Sequence, residues 1–265
     1  MPAATQEAFI DMRVKDVRKA LGTPNPDAYV VLLEERGGDR RLPIWIGHEQ
    51  ALGLALRLAK AGEPVVIGSR SKERGAEAAA RVRELLGADA PVEGMDNAKA
   101  VAGNGIAFVT VPYAGQADIY RSLKDSWPEG AIVCDATTPL ATAVGGRPTQ
   151  VLRPWHGSAA EQARALLPDA VRLVAGFHTV GAEGLAELDH PVVGDVLLCG
   201  KDADAKAAVG ALIDRIPDLR WVDCGPLPMA RILEPLTALL ISVNRRYGIR
   251  DSGFRIVGRD RWGAP

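Results

Sequence analysis

A chain of 265 residues carries 32 Lys+Arg against 33 Asp+Glu, a net charge of −1, so no global field draws it to nucleic acid or to an anionic membrane. Its 47% hydrophobic content suits a globular core, and its length accommodates a Rossmann-sized domain with a smaller companion. Cys134, Cys199 and Cys224 lack CxxC spacing, which excludes a disulfide framework and a zinc site and leaves three buried, inert thiols.

The opening MPAATQEAF has neither the basic nor the apolar region of a secretion signal, and no apolar stretch approaches the ~20 residues of a membrane span. A cytoplasmic location is expected. YVVLLEERGGDRRLPIWIG holds two strand-like runs around Gly37-Gly38, a hairpin pattern. From Trp45 to about residue 146, short β-rich runs alternate with helical stretches. The strands expected are LPIWI (42–46), PVVIG (64–68), IAFVTV (106–111) and AIVCDA (131–136). Between them, Gln50 to Ala61 is apolar at Leu52, Ala55, Leu56 and Ala59, and Ser71 to Leu86 is rich in Ala, Arg and Glu, both helical patterns.

Beyond Pro148, Gly157-Ser158-Ala159-Ala160-Glu161 forms a capping box that opens a helix through Leu167. The strand VRLVAGF (171–177) follows. DVLLCG (195–200) leads to a helix at 202–216, and RWVDCG (220–225) leads to a long helix at 228–246. That last helix carries Ile232, Leu233, Leu236, Leu239, Leu240 and Val243, a stripe broad enough to predict burial between domains or between the subunits of a homodimer. The pattern predicts an α/β protein. Its core is a Rossmann-like doubly wound parallel sheet, with a smaller C-terminal α/β domain and an N-terminal β-hairpin extension. The expected divisions are 1–41, 42–180, 181–258 and a tail at 259–265.

In such a fold, the strand end preceding Gly68-Ser69-Arg70-Ser71-Lys72-Glu73-Arg74 meets the adenosine ribose, where an acidic residue selects NAD. No acid stands at this strand end. Ser69 offers a donor, and Arg70 and Arg74 offer guanidinium groups, a set suited to the 2′-phosphate of NADP. The competing reading is that both arginines only solvate a helix start, where the helix dipole disfavours cations. The first strand-helix turn, Gly47-His48-Glu49-Gln50-Ala51-Leu52-Gly53, keeps two glycines for approach to a pyrophosphate. His48, His156 and His190 are scattered and form no metal cluster, and His178, alone after a strand, is read as an orienting or structural group. Neither a Ser/His/Asp triad, nor HExxH, nor a clustered acidic metal site emerges, so no catalytic residue and no metal is assigned.

The stretch from about Ala51 to Val257 resembles the F420-dependent NADP oxidoreductase family over roughly four-fifths of the chain. The matching segments are LGLALRLAKAG with VVIGSR, VTVPY, DATTPL, GSAAEQ, FHTVGAEGLAELDHP, DVLLCG and DCGPLPMARILEPLTALLISVNRRYG, in that order. The resemblance implies NADP(H) and coenzyme F420 as small-molecule partners, with hydride passing between nicotinamide and deazaflavin rings stacked by the protein. It implies Ser69, Arg70 and Arg74 at the 2′-phosphate, and Val111, Pro112 and Tyr113 beside the dinucleotide. His178, Thr179, Val180 and Thr237 would lie near the two rings. Thr137 joins them through the DATTPL segment, and Gly47 and Gly53 stand at the pyrophosphate turn. This chain departs from the family's Gly-Gly-Thr-Gly-x-x-Gly turn, and Pro235 replaces an expected small hydroxyl residue.

VVLLEERGGDRRLPIWIGHEQALGLAL resembles part of the bifunctional nuclease family, and the two resemblances overlap at 44–58. LPIWIG is therefore expected to replace the first strand of the sheet. Three other readings stay open. The fold could reduce a flavin, ferric ion or imine; it could bind dinucleotide without efficient catalysis; or the N-terminal segment could mark a nuclease or interaction protein.

Overall fold

The computed structural model describes residues 12–19, 29–35 and 48–258. The chain divides into two compact units, Met1–Ile46 and Gly47–Pro265. In the first, β1 (Met12–Lys19) and β2 (Tyr29–Glu35) pair antiparallel, with Met12 opposite Glu35 and Lys19 opposite Tyr29. The run expected around Tyr29 is thus a strand, and its described partner precedes it in the chain. Gly37-Gly38 and LPIWI lie outside the described residues.

The second unit begins with α1 (His48–Lys60), β3 (Val65–Ser69), α2 (Lys72–Leu86), β4 (Val92–Asp96) and α3 (Asn97–Ala102). It continues with β5 (Ile106–Val109), α4 (Tyr113–Ser122), β6 (Ile132–Asp135), α5 (Ala159–Leu166), β7 (Arg172–Ala175) and α6 (Ala182–Ala186). The last elements are β8 (Gly194–Gly200), α7 (Ala203–Ile213), β9 (Leu219–Asp223), α8 (Ala230–Leu233) and α9 (Leu236–Tyr247). β3 and β4 form a parallel pair, and β5-β6-β7-β8-β9 form a sheet parallel throughout except at β7–β8. β8 and β9 therefore extend the same sheet that β5 begins.

Strand alternation builds a core on each face of this sheet. On one face Ile132, Cys134, Val174 and Leu198 pack with Leu54 and Leu58 of α1 and Val209 and Ile213 of α7. On the other, Val133 and Leu173 meet Tyr120 of α4 and Ala163 of α5. Burial on both faces is why these strands read as unbroken apolar runs. Val65 of β3 and Ile106 of β5 both pack against the α1 cluster, so α1 joins the two sheets. In the same cluster as α1, α2 crosses β4 so closely that a Cβ on Gly75 would strike the backbone of Met95, and one on Gly94 the backbone of Gly75.

Three features differ from the sequence pattern. β4 and α3 lie in a stretch with no apolar periodicity, and α3 is opened by Asp96, whose carboxylate accepts Lys99 N–H at 3.0 Å. The continuous helix expected at 228–246 is instead a 3₁₀ turn at 227–229 followed by α8 and α9, separated at Glu234-Pro235. Proline supplies no N–H and crowds the preceding turn, which breaks the helix there. Burial of the apolar stripe is also incomplete: Leu233 and Leu240 are buried, whereas Ile232 is 59% and Leu239 51% exposed.

Candidate functional site

The site forms at the carboxyl ends of β3, β5, β6 and β7, where an open α/β sheet leaves its crevice. β3 ends at Ser69, and Ser71 caps α2 by accepting Arg74 N–H. Arg70 is exposed and Arg74 half-buried. Neither guanidinium forms a hydrogen bond or ion pair among the described residues. At the end of β5, Val111 leads to Pro112, the N-cap of α4, and Tyr113 opens that helix. Tyr113 donates its hydroxyl hydrogen to Gln162 Oε1 at 3.1 Å.

β6 ends in Asp135, which is fully buried. It accepts from Tyr120 Oη at 2.6 Å, Gln116 Nε2 at 3.0 Å and Thr137 N–H at 2.8 Å. Burial pushes its pKa above the usual carboxylate value, against the pull of those three donors. The next two residues enter the site. Thr137 is buried, and its Oγ1 has no partner among the described residues. Thr138 Oγ1 lies 3.0 Å from Thr237 Oγ1 and 3.5 Å from His178 Nδ1.

Thr237 donates to the His178 carbonyl at 2.7 Å, so in the Thr138–Thr237 contact it is Thr138 that donates. His178 Nε2 is buried and has no hydrogen-bond partner among the described residues. Burial lowers the His178 pKa to about 4, so the ring is neutral at pH 7. The preceding residue, Phe177, has φ 67, left-handed backbone that a bulky residue adopts only when its surroundings enforce it. Its ring packs edge-on to Phe108 at 5.6 Å. Thr179 Oγ1 donates to the Asp195 carbonyl at 3.1 Å, and Val180 is buried.

α1 holds this segment from below. Gln50 Nε2 donates to the carbonyls of Phe177 and Val180 at 3.1 and 3.5 Å. The Arg57 guanidinium donates to the carbonyls of Leu185, Gly184, Glu187 and His190. Gly53 lies inside α1, where a Cβ would stand 2.7 Å from Leu185 Cβ, so this glycine admits α6 against α1. Gly47 lies outside the described residues. On the opposite side of the site, Glu234 at the α8–α9 junction accepts the N–H groups of Ala159 and Ala160, the first two of α5, at 2.9 and 3.0 Å. Burial raises its pKa to about 8.

The structure thus brings Thr137, His178, Thr179, Val180 and Thr237 together, with Val111, Pro112 and Tyr113 at the end of β5 in the same sheet. Ser69, Arg70 and Arg74 stand at the end of the β3–β4 pair. Thr138, Gln50, Arg57, Gln116, Gln162 and Glu234 were not foreseen. Arg57 alone left a signal, as a cation between Leu56 and Leu58 on an apolar helix. Among the described residues no group of three or more His, Cys, Asp or Glu is placed to hold a metal ion, and no helix is long and apolar enough to cross a membrane.

Residues 47–139 match the family described as NADP oxidoreductase, coenzyme F420-dependent. The F420-dependent NADP reductase of Methanocaldococcus jannaschii is 39% identical over 211 residues, covering 78% of this chain and 93% of that protein. The chain belongs to the F420-dependent NADP reductase family. A second F420-dependent NADP reductase, from Methanothermobacter thermautotrophicus, is 39% identical over 210 residues, which is 78% of this chain and 90% of that protein. The crystal structure of a putative F420-dependent NADP reductase from Arthrobacter sp. FB24 shares the fold of this family member with a TM-score of 0.64 at 24% identity, covering 78% and 96% of the two chains. A hypothetical protein from Sinorhizobium meliloti superposes with a TM-score of 0.53 at 26% identity, over 68% and 82% of the chains.

Proposed function

We infer that the chain is an oxidoreductase that transfers hydride between NADP(H) and coenzyme F420. The observation that carries this reading is the 39% identity, spread over 78% of the chain, to F420-dependent NADP reductases. Features of the site fit both cofactors. Two uncommitted guanidiniums at the end of β3 suit a nucleotide with an extra phosphate, and a buried cluster with unpartnered Thr137 Oγ1 and His178 Nε2 suits the polar edge of a redox ring.

When bound, the two cofactors supply the redox chemistry, and the protein's share is position. Ser69, Arg70 and Arg74 hold the 2′-phosphate. Val111, Pro112 and Tyr113 line the dinucleotide, and Thr137, His178, Thr179, Val180 and Thr237 border the rings. Gly47, just before α1 in the sequence, stands where the pyrophosphate approaches, and Gly53, inside α1 and not in the turn, admits α6. His178, neutral at pH 7, orients its neighbours and delivers no proton. The exposed apolar side chains Ile232 and Leu239 form the face of a homodimer, and the enzyme works in the cytoplasm.

Spectroscopy tests the reading directly. Mixing the purified chain with NADPH and F420 is expected to bleach the deazaflavin absorbance in step with NADPH oxidation, with free flavin a much poorer acceptor. Reduction of free flavin with F420 left unchanged would overturn it.

A further inference from the structure

A buried chain of amides leads from the end of β5 into the core. Gln116 Nε2 lies 3.0 Å from Asp135 Oδ2 and 3.0 Å from the carbonyl oxygen of Ala159. Gln162 Nε2 lies 2.9 Å from Gln116 Oε1, and Tyr113 Oη lies 3.1 Å from Gln162 Oε1. A peptide carbonyl only accepts, so the Gln116 group facing Ala159 must be its NH₂. Its Oε1 then faces Gln162 and demands a donor, which fixes the Gln162 amide in turn. The Gln162 Oε1 left over demands the hydroxyl hydrogen of Tyr113. Each orientation follows from the one before, and the first is anchored by backbone. The hydrogen of Tyr113 is therefore spent inside the protein, and only its lone pairs remain for a ligand.

We propose that the Tyr113 hydroxyl is an obligate hydrogen-bond acceptor for a donor group on the nicotinamide half of the bound dinucleotide, and that Gln162 and Gln116 are positioning residues that lock this polarity. The inference rests on the NADP-binding reading above. Tyr113 opens α4 at the end of β5, in the sheet that carries Thr137 and His178, whereas Ser69 and Arg70 end the separate β3–β4 pair. That places Tyr113 with the redox end of the crevice and apart from the adenosine end. Phosphate oxygens only accept, so a Tyr113 without a free hydrogen offers them nothing. The complementary groups are the ribose hydroxyls beside the nicotinamide and the NH₂ of its carboxamide.

Calorimetric dissociation constants test this without turnover. Tyr113→Phe is expected to weaken NADP⁺ about fivefold to tenfold, the worth of one hydrogen bond in such a site, and to leave 2′,5′-ADP, which lacks the nicotinamide half, within about twofold. A loss that persists with 2′-phospho-ADP-ribose assigns the donor to the ribose. A loss seen with NADP⁺ but absent from both that ligand and the 3-acetylpyridine analogue assigns it to the carboxamide. Gln162→Leu is expected to weaken NADP⁺ as well, yet Gln162→Leu added to Tyr113→Phe should cost nothing further, because the amide acts through the phenol. Additive losses would make Gln162 a packing residue and overturn its positioning role. Unchanged NADP⁺ affinity in Tyr113→Phe, or an equal loss for 2′,5′-ADP, would overturn the assignment of Tyr113. Wild-type protein that binds neither nucleotide is a distinct result, and sinks the NADP-binding reading with everything built on it.

Discussion

At the carboxyl end of β3, Arg70 stands in solvent and neither Arg70 nor Arg74 has a partner among the described residues; at the carboxyl end of β6, Asp135, Thr137 and His178 are buried among fixed donors and acceptors. The contrast follows from the cost of waiting for a ligand. An exposed guanidinium stays hydrated until an anion arrives, so it needs no internal partner. A buried polar atom has no water to fall back on, so nearly every one must be paired inside the protein. On the proposed reading, the β3 end recognises by charge and the β6–β7 end by a preset pattern of hydrogen bonds. The unpartnered His178 Nε2 and Thr137 Oγ1 are conspicuous because everything around them is satisfied.

The largest effect should come from breaking the preset end. Arg57→Met leaves four carbonyls of the 184–190 stretch without their donor, and a loss of about 3 kcal/mol in unfolding free energy is expected in urea titrations. A loss under about 1 kcal/mol would mean that the 184–190 segment is held by other contacts.

A similar magnitude attaches to pH. With a folded pKa of about 4 against about 6.5 unfolded, His178 binds fewer protons in the native state than in the unfolded chain, so stability falls by about 3 kcal/mol as pH drops through that window. Glu234 works in the opposite sense. Its folded pKa of about 8 lies above the unfolded value, so its contribution weakens as pH rises from about 4.5 to 8. His178→Asn should flatten the acid limb of the stability profile and Glu234→Gln the alkaline limb. An acid limb unchanged in His178→Asn would show that other groups govern it.

The charged end should respond in affinity and leave stability alone. Arg70→Ala is expected to raise KM for NADPH about 30-fold, the worth of a hydrogen bond to a charged group, while KM for NADH moves less than about twofold. Equal effects on both nucleotides would remove Arg70 from the 2′-phosphate. Smallest of all, Thr237→Val deletes the donor to the His178 carbonyl and should cost about 1 kcal/mol in stability, with a fall in kcat from the loosened ring site. An unchanged kcat would leave Thr237 with a structural role alone.

These two ends were unequally legible. The β3–α2 end is local: strand, Ser71 cap and arginines occupy one short stretch, and the absence of an acid can be read directly. The strands of the core were equally plain, because burial on both faces writes them as apolar runs. β4 was hidden because Gly94 answers Gly75, a close approach between two elements that no local pattern reveals. The hydroxyl cluster was accessible only as family motifs, since Thr138 and Thr237 meet across 99 residues of sequence. The left-handed Phe177 and the amide chain from Tyr113 have no sequence signature at all. Pro235 did carry a signal: a proline inside a helical pattern marks the break between α8 and α9.

On the proposed reading the protein positions two redox rings for direct transfer and takes no part in moving protons. NADPH deuterated at the transferring C4 position tests this: the deuterium is expected at C5 of reduced F420. Deuterium lost to solvent water, with unlabelled product, would contradict it.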